Sequence, residues 1–167
     1  MTERFIVLVR HAKADRPAGV ADVDRPLTAR GHADAGAVGA WIAHRGYRPD
    51  LVICSPSKRT RQTWHGVALG MADASDDPPT PEVDYRPEVY DGGAASLLDL
   101  VQAADDAATT IMIIGHNPPV SQVSLLLDPD KAGELRTSGV AVHRFEGPWI
   151  ECGRGDAPLV ETHTARG

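Results

Sequence analysis

Hydrophobic positions fall into short separated blocks, and their spacing changes character from block to block. The stretch from Arg4 to Val9 is of strand length and dominated by β-branched and other apolar side chains. A run without polar alternation suits a strand buried on both faces. Leu51 to Cys54 and Thr110 to Ile114 read the same way. Between Thr28 and Gly46 the period lengthens. Ala33, Ala37, Ala40, Trp41 and His44 recur at three- and four-residue spacing, which predicts a helix with Thr28 as its N-cap and Gly46 as its stop. Ser55 and Pro56 place an N-cap and a first-turn proline ahead of a helix running to about Leu69. A polar loop is expected over Met71 to Pro81, and an extended segment within Tyr85 to Tyr90. Ala95 to Ala104 is read as a helix with Leu97, Leu98 and Val101 as its apolar face, and Pro118 to Leu127 as a second helix. Gly139 to Phe145 and Trp149 to Cys152 are read as late antiparallel strands, and the tail after Thr162 is expected to fray.

Strands alternating with helices predict an α/β fold. The expected form is a three-layer sandwich: a mostly parallel central sheet flanked by helices, with one or more antiparallel edge strands. Residues 1–167 are read as one domain.

Composition narrows the function classes. Aromatic residues are only 5%, so the core must come from Val, Leu, Ile and Ala. The longest apolar runs fall far short of the roughly 18 residues of a spanning helix. Met1-Thr2-Glu3-Arg4 leads straight into a strand-like run with no signal region, so the expected location is the cytoplasm. Two cysteines, Cys54 and Cys152, make neither a disulfide framework nor a four-thiolate zinc site. The 17 Lys+Arg against 23 Asp+Glu leave a net charge of −6, which argues against general nucleic-acid binding.

In open parallel sheets, ligands bind beyond the carboxyl ends of the strands. Three apolar runs end there in polar residues: Arg10-His11, Ser55-Pro56 and Gly115-His116-Asn117. The segment Ser57-Lys58-Arg59-Thr60-Arg61 sets three cations in the first two turns of a helix, opposing its dipole. An anionic ligand explains that arrangement better than surface solubility does. At 100° per residue Arg59 and Arg61 lie about 200° apart, so both cannot aim at one ligand. Nothing near Cys54 repeats the pattern of a cysteine phosphatase, and it is read as a small core residue.

Together these segments resemble the histidine phosphatase, or phosphoglycerate mutase-like, superfamily. Arg10-His11 after a first strand is similar to its Arg-His signature. Ser55-Pro56, Arg59 and Gln62-Thr63 look like its second motif, Gly115-His116 like its second catalytic histidine, and Arg25-Pro26-Leu27-Thr28-Ala29-Arg30-Gly31 like a further shared pattern. The short length, Arg10 to Ala14 and Thr137-Ser138-Gly139 look most like the SixA-type phosphohistidine phosphatases.

The resemblance implies a phosphatase that needs no metal or cofactor. His11 would be the nucleophile, forming a covalent phosphohistidine intermediate. Arg10 and Arg59 would bind the phosphoryl oxygens, and His116 would stabilise the developing charge. Lys13 and Ser138 are further candidates for substrate binding. Glu88 is the first candidate general acid and Asp91 the second. Guanidinium forks match phosphoryl oxygens and stay charged at any working pH, in agreement with these roles. The expected substrate is phosphohistidine on a signalling protein. The alternatives are a phosphatase of small phosphoesters and a non-catalytic phosphate-binding domain. Neither nucleic acid nor membrane is expected as a partner.

Overall fold

The computed structural model describes residues 2–165. Six strands form one sheet: β1 (Glu3–Arg10), β2 (Leu51–Cys54), β3 (Glu82–Tyr85), β4 (Thr110–Gly115), β5 (Gly139–Glu146) and β6 (Leu159–Thr164). Their spatial order is β3-β2-β4-β1-β5-β6. The first four in that order run parallel, and β5 and β6 complete the sheet antiparallel. Five helices flank it: α1 (Ala29–His44), α2 (Lys58–Ala74), α3 (Pro87–Asp91), α4 (Ala94–Gln102) and α5 (Pro119–Leu127). This is the α/β sandwich that the hydrophobic blocks predict.

The two faces of the sheet explain the unbroken apolar runs. Ile6 and Leu8 of β1 pack with Ile111, Ile113, Leu97, Val101, Val120 and Val123 on the side of α4 and α5. Val7 and Val9 pack with Val52, Met112, Val38, Ile42, Val67 and Met71 on the side of α1 and α2. All four β1 residues are fully buried, each contributing roughly 1.5–3 kcal/mol. Among the described residues, no helix is long and apolar enough to cross a membrane.

Several elements differ from the sequence reading. Thr28 does cap α1, its hydroxyl accepting from Gly31 N at 3.0 Å. The buried face of α1, however, is Ala35, Val38, Gly39 and Ile42, offset from the Ala33, Ala37 and His44 stripe. Two glycines set that face. A Cβ at Gly39 would stand 2.1 Å from the Val67 carbonyl oxygen, and one at Gly70 would stand 2.0 Å from that of Gly36. Helices α1 and α2 therefore touch backbone to backbone.

Helix α2 is capped at Ser57 rather than Ser55, and it runs to Ala74, taking in the first residues of the expected loop. The extended segment lies at Glu82–Tyr85 and reaches only the first residue of the expected window, and Pro87 starts a helix. Trp149–Glu151 is a 3₁₀ turn, not a strand, because Trp149 donates its Nε1–H to the Ala108 carbonyl and its backbone N–H to Asp106. Strand β6 continues past Thr162 to Thr164, paired with β5, and residues 166–167 lie outside the described residues.

Candidate active site

Strands β1, β2 and β4 are adjacent and parallel, with Arg10 beside Gly115 and Cys54 beside Ile114. The residues after them therefore emerge side by side at one edge of the sheet. His11 N donates to the Gly115 carbonyl at 3.0 Å and Ser55 N to that of Ile114 at 3.1 Å. The His11 and His116 rings come to 5.3 Å between centroids. A cavity of about 360 Å³ opens there. Arg10, Lys13, Arg16, Arg25 and Arg59 line it with both histidines, and Asp22 is its one acidic residue.

The backbone around His11 is pinned on several sides. Ala12 N donates to Thr63 Oγ1 at 3.0 Å, and Leu27 N donates to Gln62 Oε1 at 2.8 Å. The Gln62-Thr63 pair thus ties α2 to the loop after β1. Thr28 N donates to the Lys13 carbonyl at 2.9 Å. A Cβ at Gly31 would stand 2.1 Å from that same oxygen, so the Arg25-to-Gly31 segment lies flush against the loop. Ser138 N donates to the His11 carbonyl at 3.1 Å from a left-handed backbone (φ 59°). A non-glycine residue there is uncommon and held by its surroundings.

A hydrogen bond to a carbonyl fixes the tautomer of the His11 ring. His11 Nδ1 lies 2.8 Å from the Ala12 carbonyl oxygen, which can only accept. Nδ1 therefore carries the proton, and the neutral ring keeps its lone pair on Nε2. Burial lowers the His11 pKa to about 4 against the opposing Ala12 carbonyl, with Arg59, Arg10 and Arg25 adding to the fall. Burial likewise lowers His116 to about 3, helped by His11 and Arg59. Both rings are neutral at pH 7. His116 Nε2 pairs with Ser55 Oγ at 2.8 Å, and Ser55 Oγ accepts from Ser57 N at 3.2 Å. When the serine hydroxyl donates to Nε2, His116 Nδ1 carries the hydrogen.

Four buried polar atoms have no partner among the described residues: Arg10 Nε, Arg59 Nε, His116 Nδ1 and Ser138 Oγ. Unpaired buried polar groups are rare because each costs about 1–3 kcal/mol. Three of the four belong to residues that line this cavity. Three other guanidinium nitrogens are already engaged: Arg10 Nη1 on the Leu135 carbonyl at 3.1 Å, Arg59 Nη1 on the Asp22 carbonyl at 2.7 Å and Arg59 Nη2 on Asp22 Oδ2 at 3.1 Å. The arrangement is a preformed set of donors without an acceptor, beside a neutral imidazole with an exposed lone pair. It suits an anion with several oxygens.

Residues 6–87 match the histidine phosphatase superfamily (branch 1). The uncharacterized protein Rv1276c of Mycobacterium tuberculosis is 33% identical over 168 residues, covering 95% of this chain and all of that one. The chain belongs to the histidine phosphatase superfamily. Within that superfamily it is similar to a candidate SixA phosphohistidine phosphatase from Nakamurella multipartitia, with 29% identity and a TM-score of 0.84. The match covers 98% of this chain and 96% of that one. A protein histidine phosphatase SixA complexed with tungstate shares the fold, with a TM-score of 0.79 at 21% identity over 97% of each chain. These likenesses support phosphatase activity for this histidine phosphatase.

The sequence-derived candidates are distributed as follows. Arg10, His11, Lys13, Arg59 and His116 meet at the cavity. Ser138 is buried beside His11, and its neighbour Thr137 lines the wall instead. Glu88 does not line the cavity. It pairs with Arg86 Nη2 at 2.6 Å, a bond that pulls its pKa down and keeps it ionised. Tyr90, two residues further and so about 200° around the helix, faces the site in its place. Its ring packs edge-on against His116, and its hydroxyl donates to Asp22 Oδ2 at 2.6 Å. Asp91 is exposed and lies outside the lining. Sequence reasoning missed Asp22, Tyr90 and the Ser55 hydroxyl. Of these only Ser55 carried a signal, as part of the Ser-Pro motif.

Proposed function

We propose that this histidine phosphatase removes the phosphoryl group from phosphohistidine on a signalling protein. His11 Nε2 attacks phosphorus, and the P–N bond to the substrate imidazole breaks. Water then hydrolyses the phosphoenzyme and regenerates His11. Arg10 Nε–H, Arg59 Nε–H and His116 Nδ1–H take the equatorial oxygens, where charge collects in the transition state. Lys13, exposed at the rim, adds to the positive field that draws the phosphoryl group in.

The observation that carries the choice of substrate is that, among the described residues, the cavity lining holds no carboxyl group able to deliver a proton. Its one carboxyl group, Asp22, accepts from Tyr90, Arg25 and Arg59, and these donors pull its pKa well below the usual carboxylate range. An alkoxide leaving group needs a proton in the transition state, a contribution of roughly 10²–10⁴-fold. An imidazole whose second ring nitrogen already carries a proton departs as a neutral ring and needs none from the enzyme.

Parallel assays on a phosphohistidine protein, an aryl phosphate and an alkyl phosphate test this reading. The first two are expected to turn over, and the alkyl phosphate to lag by about 10²-fold or more. Chelators are expected to leave the rates unchanged. His11→Ala is expected to abolish turnover and the trapping of acid-labile phosphate on the enzyme. Efficient alkyl phosphate hydrolysis by the wild type, or label on another residue, would overturn the reading.

A further inference from the structure

Among the described residues, Asp22 is the one acidic side chain that lines the cavity. It belongs to a 3₁₀ turn at Asp22–Asp24 and lines the cavity, yet its side chain is 52% exposed, unlike the buried Arg59 behind it. Oδ2 accepts from Arg59 Nη2 at 3.1 Å and Tyr90 Oη at 2.6 Å, and Oδ1 accepts from Arg25 Nη1 at 3.1 Å. These donors orient the carboxylate at the mouth. Oδ1, with one donor of its own, keeps acceptor capacity. Proton delivery is the wrong role for a carboxylate held ionised by three donors. What it offers is a fixed negative charge facing whatever stands outward of the phosphoryl site.

We infer that Asp22 is a specificity-determining residue that accepts a hydrogen bond from the ring N–H of the substrate phosphohistidine. The inference rests on the phosphohistidine reading above and adds the group that recognises the leaving ring. Phosphohistidine carries phosphorus on one ring nitrogen and can bind a proton on the other. When His11 Nε2 forms its bond to phosphorus, the P–N electron pair returns to the substrate ring. If the second nitrogen is protonated, the ring leaves as neutral imidazole. If it is not, the ring must leave as imidazolate, a far more basic anion. A carboxylate beside that second nitrogen favours its protonated form. Asp22 thereby keeps the substrate in its reactive state at pH values where the free phosphoimidazole has lost that proton. An aryl or alkyl phosphate has no such N–H and draws no benefit.

Asp22→Asn is the discriminating variant. It retains the backbone carbonyl that holds Arg59 Nη1 and one of the two side-chain acceptors, while the other becomes an amide that donates, and the charge is removed. With phosphoimidazole and p-nitrophenyl phosphate as probes, the ratio of their kcat/KM values is expected to fall about tenfold or more, as for loss of one charged hydrogen bond. The alkaline limb of kcat for phosphoimidazole is expected to move about one unit lower in pH, since the bound ring loses its anionic partner. A merely structural role for Asp22 would slow both substrates alike and leave that limb in place. Equal losses on the two probes with an unshifted limb would overturn the inference while leaving the phosphohistidine reading intact. A wild-type enzyme that turns over p-nitrophenyl phosphate but neither phosphoimidazole nor a phosphohistidine protein would overturn both.

Discussion

Burial and nearby guanidinium charges hold the His11 imidazole neutral far below the usual histidine range, and the Ala12 carbonyl does not reverse them. NMR titration of the free enzyme is expected to give a His11 midpoint near 4 and a His116 midpoint near 3. A His11 midpoint above 6 would remove the ground for a ready nucleophile at neutral pH. Arg59 and Arg61 supply a second contrast. Arg59 is buried at the cavity, whereas Arg61 is exposed and donates its Nε–H to the Pro56 carbonyl at 2.9 Å. Arg59→Ala is expected to lower kcat/KM by roughly 10²-fold or more, the loss typical of a transition-state oxyanion donor. Arg61→Ala should stay within about twofold. Similar losses from both would mean that the cationic turn acts through its field alone. At this scale Arg10, His11, Arg59 and His116 were legible because each follows a strand or opens a helix, where position in sequence dictates position in space. Asp22 was not. Nothing in Val20-Ala21-Asp22-Val23-Asp24 separates it from Asp24, and its partners Arg59 and Tyr90 lie 37 and 68 residues away.

Among the elements, α1 and α2 meet through glycine, and this contact yields opposite outcomes for one kind of substitution. Gly70→Ala would drive a methyl group into the Gly36 carbonyl, and backbone has little room to give. A loss of about 1–3 kcal/mol is expected. At Gly36 itself a Cβ meets nothing within 4 Å. There Gly36→Ala is expected to gain about 0.5–1 kcal/mol from helix propensity. Urea unfolding of the two variants checks both signs, and a stabilising Gly70→Ala would contradict the close packing. The same contact explains the misplaced face of α1. Gly39 is buried there by proximity rather than by hydrophobicity, as Gly31 is against the Lys13 carbonyl, so an apolar count passes over both and lands on the exposed alanines. The β-branched strands carried no such ambiguity, since only a two-sided burial accommodates Ile-Val-Leu-Val without a polar break. Glu88 and Tyr90 were confused for a third reason: the expected extended segment became a helical turn, and that changes which of two residues faces the site.

For the molecule as a whole, buried neutral histidines set the response to acid. His11, His116 and His143 all have lowered pKa values, chiefly through burial. His143 is fully satisfied in its neutral form, with Nδ1 on the Ala157 carbonyl and Nε2 paired with the Ser124 hydroxyl. Between pH 7 and 5 the unfolded chain binds protons that the native rings refuse, so stability rises with pH in that window and is lost as pH falls through it. Urea unfolding is expected to give a free energy lower at pH 5 than at pH 7 by at least about 2 kcal/mol, above the range where carboxylates titrate. A flat profile would show that these rings titrate normally. The place of β1 in the sheet also bears on how the chain is made. Strand β1 leaves the ribosome before its partners and is one of the two innermost in the sheet, while β4 and β5 begin only at Thr110 and Gly139. Such distant pairing must close a long loop before it is rewarded, which slows folding relative to helical bundles. Until β5 emerges, Phe5 to Val9 keeps an open apolar edge, and the His11 carbonyl lacks its clamp from Ser138. His11, the proposed nucleophile, is therefore made well before the residues that hold its backbone in place, and the site is set only once β5 has formed.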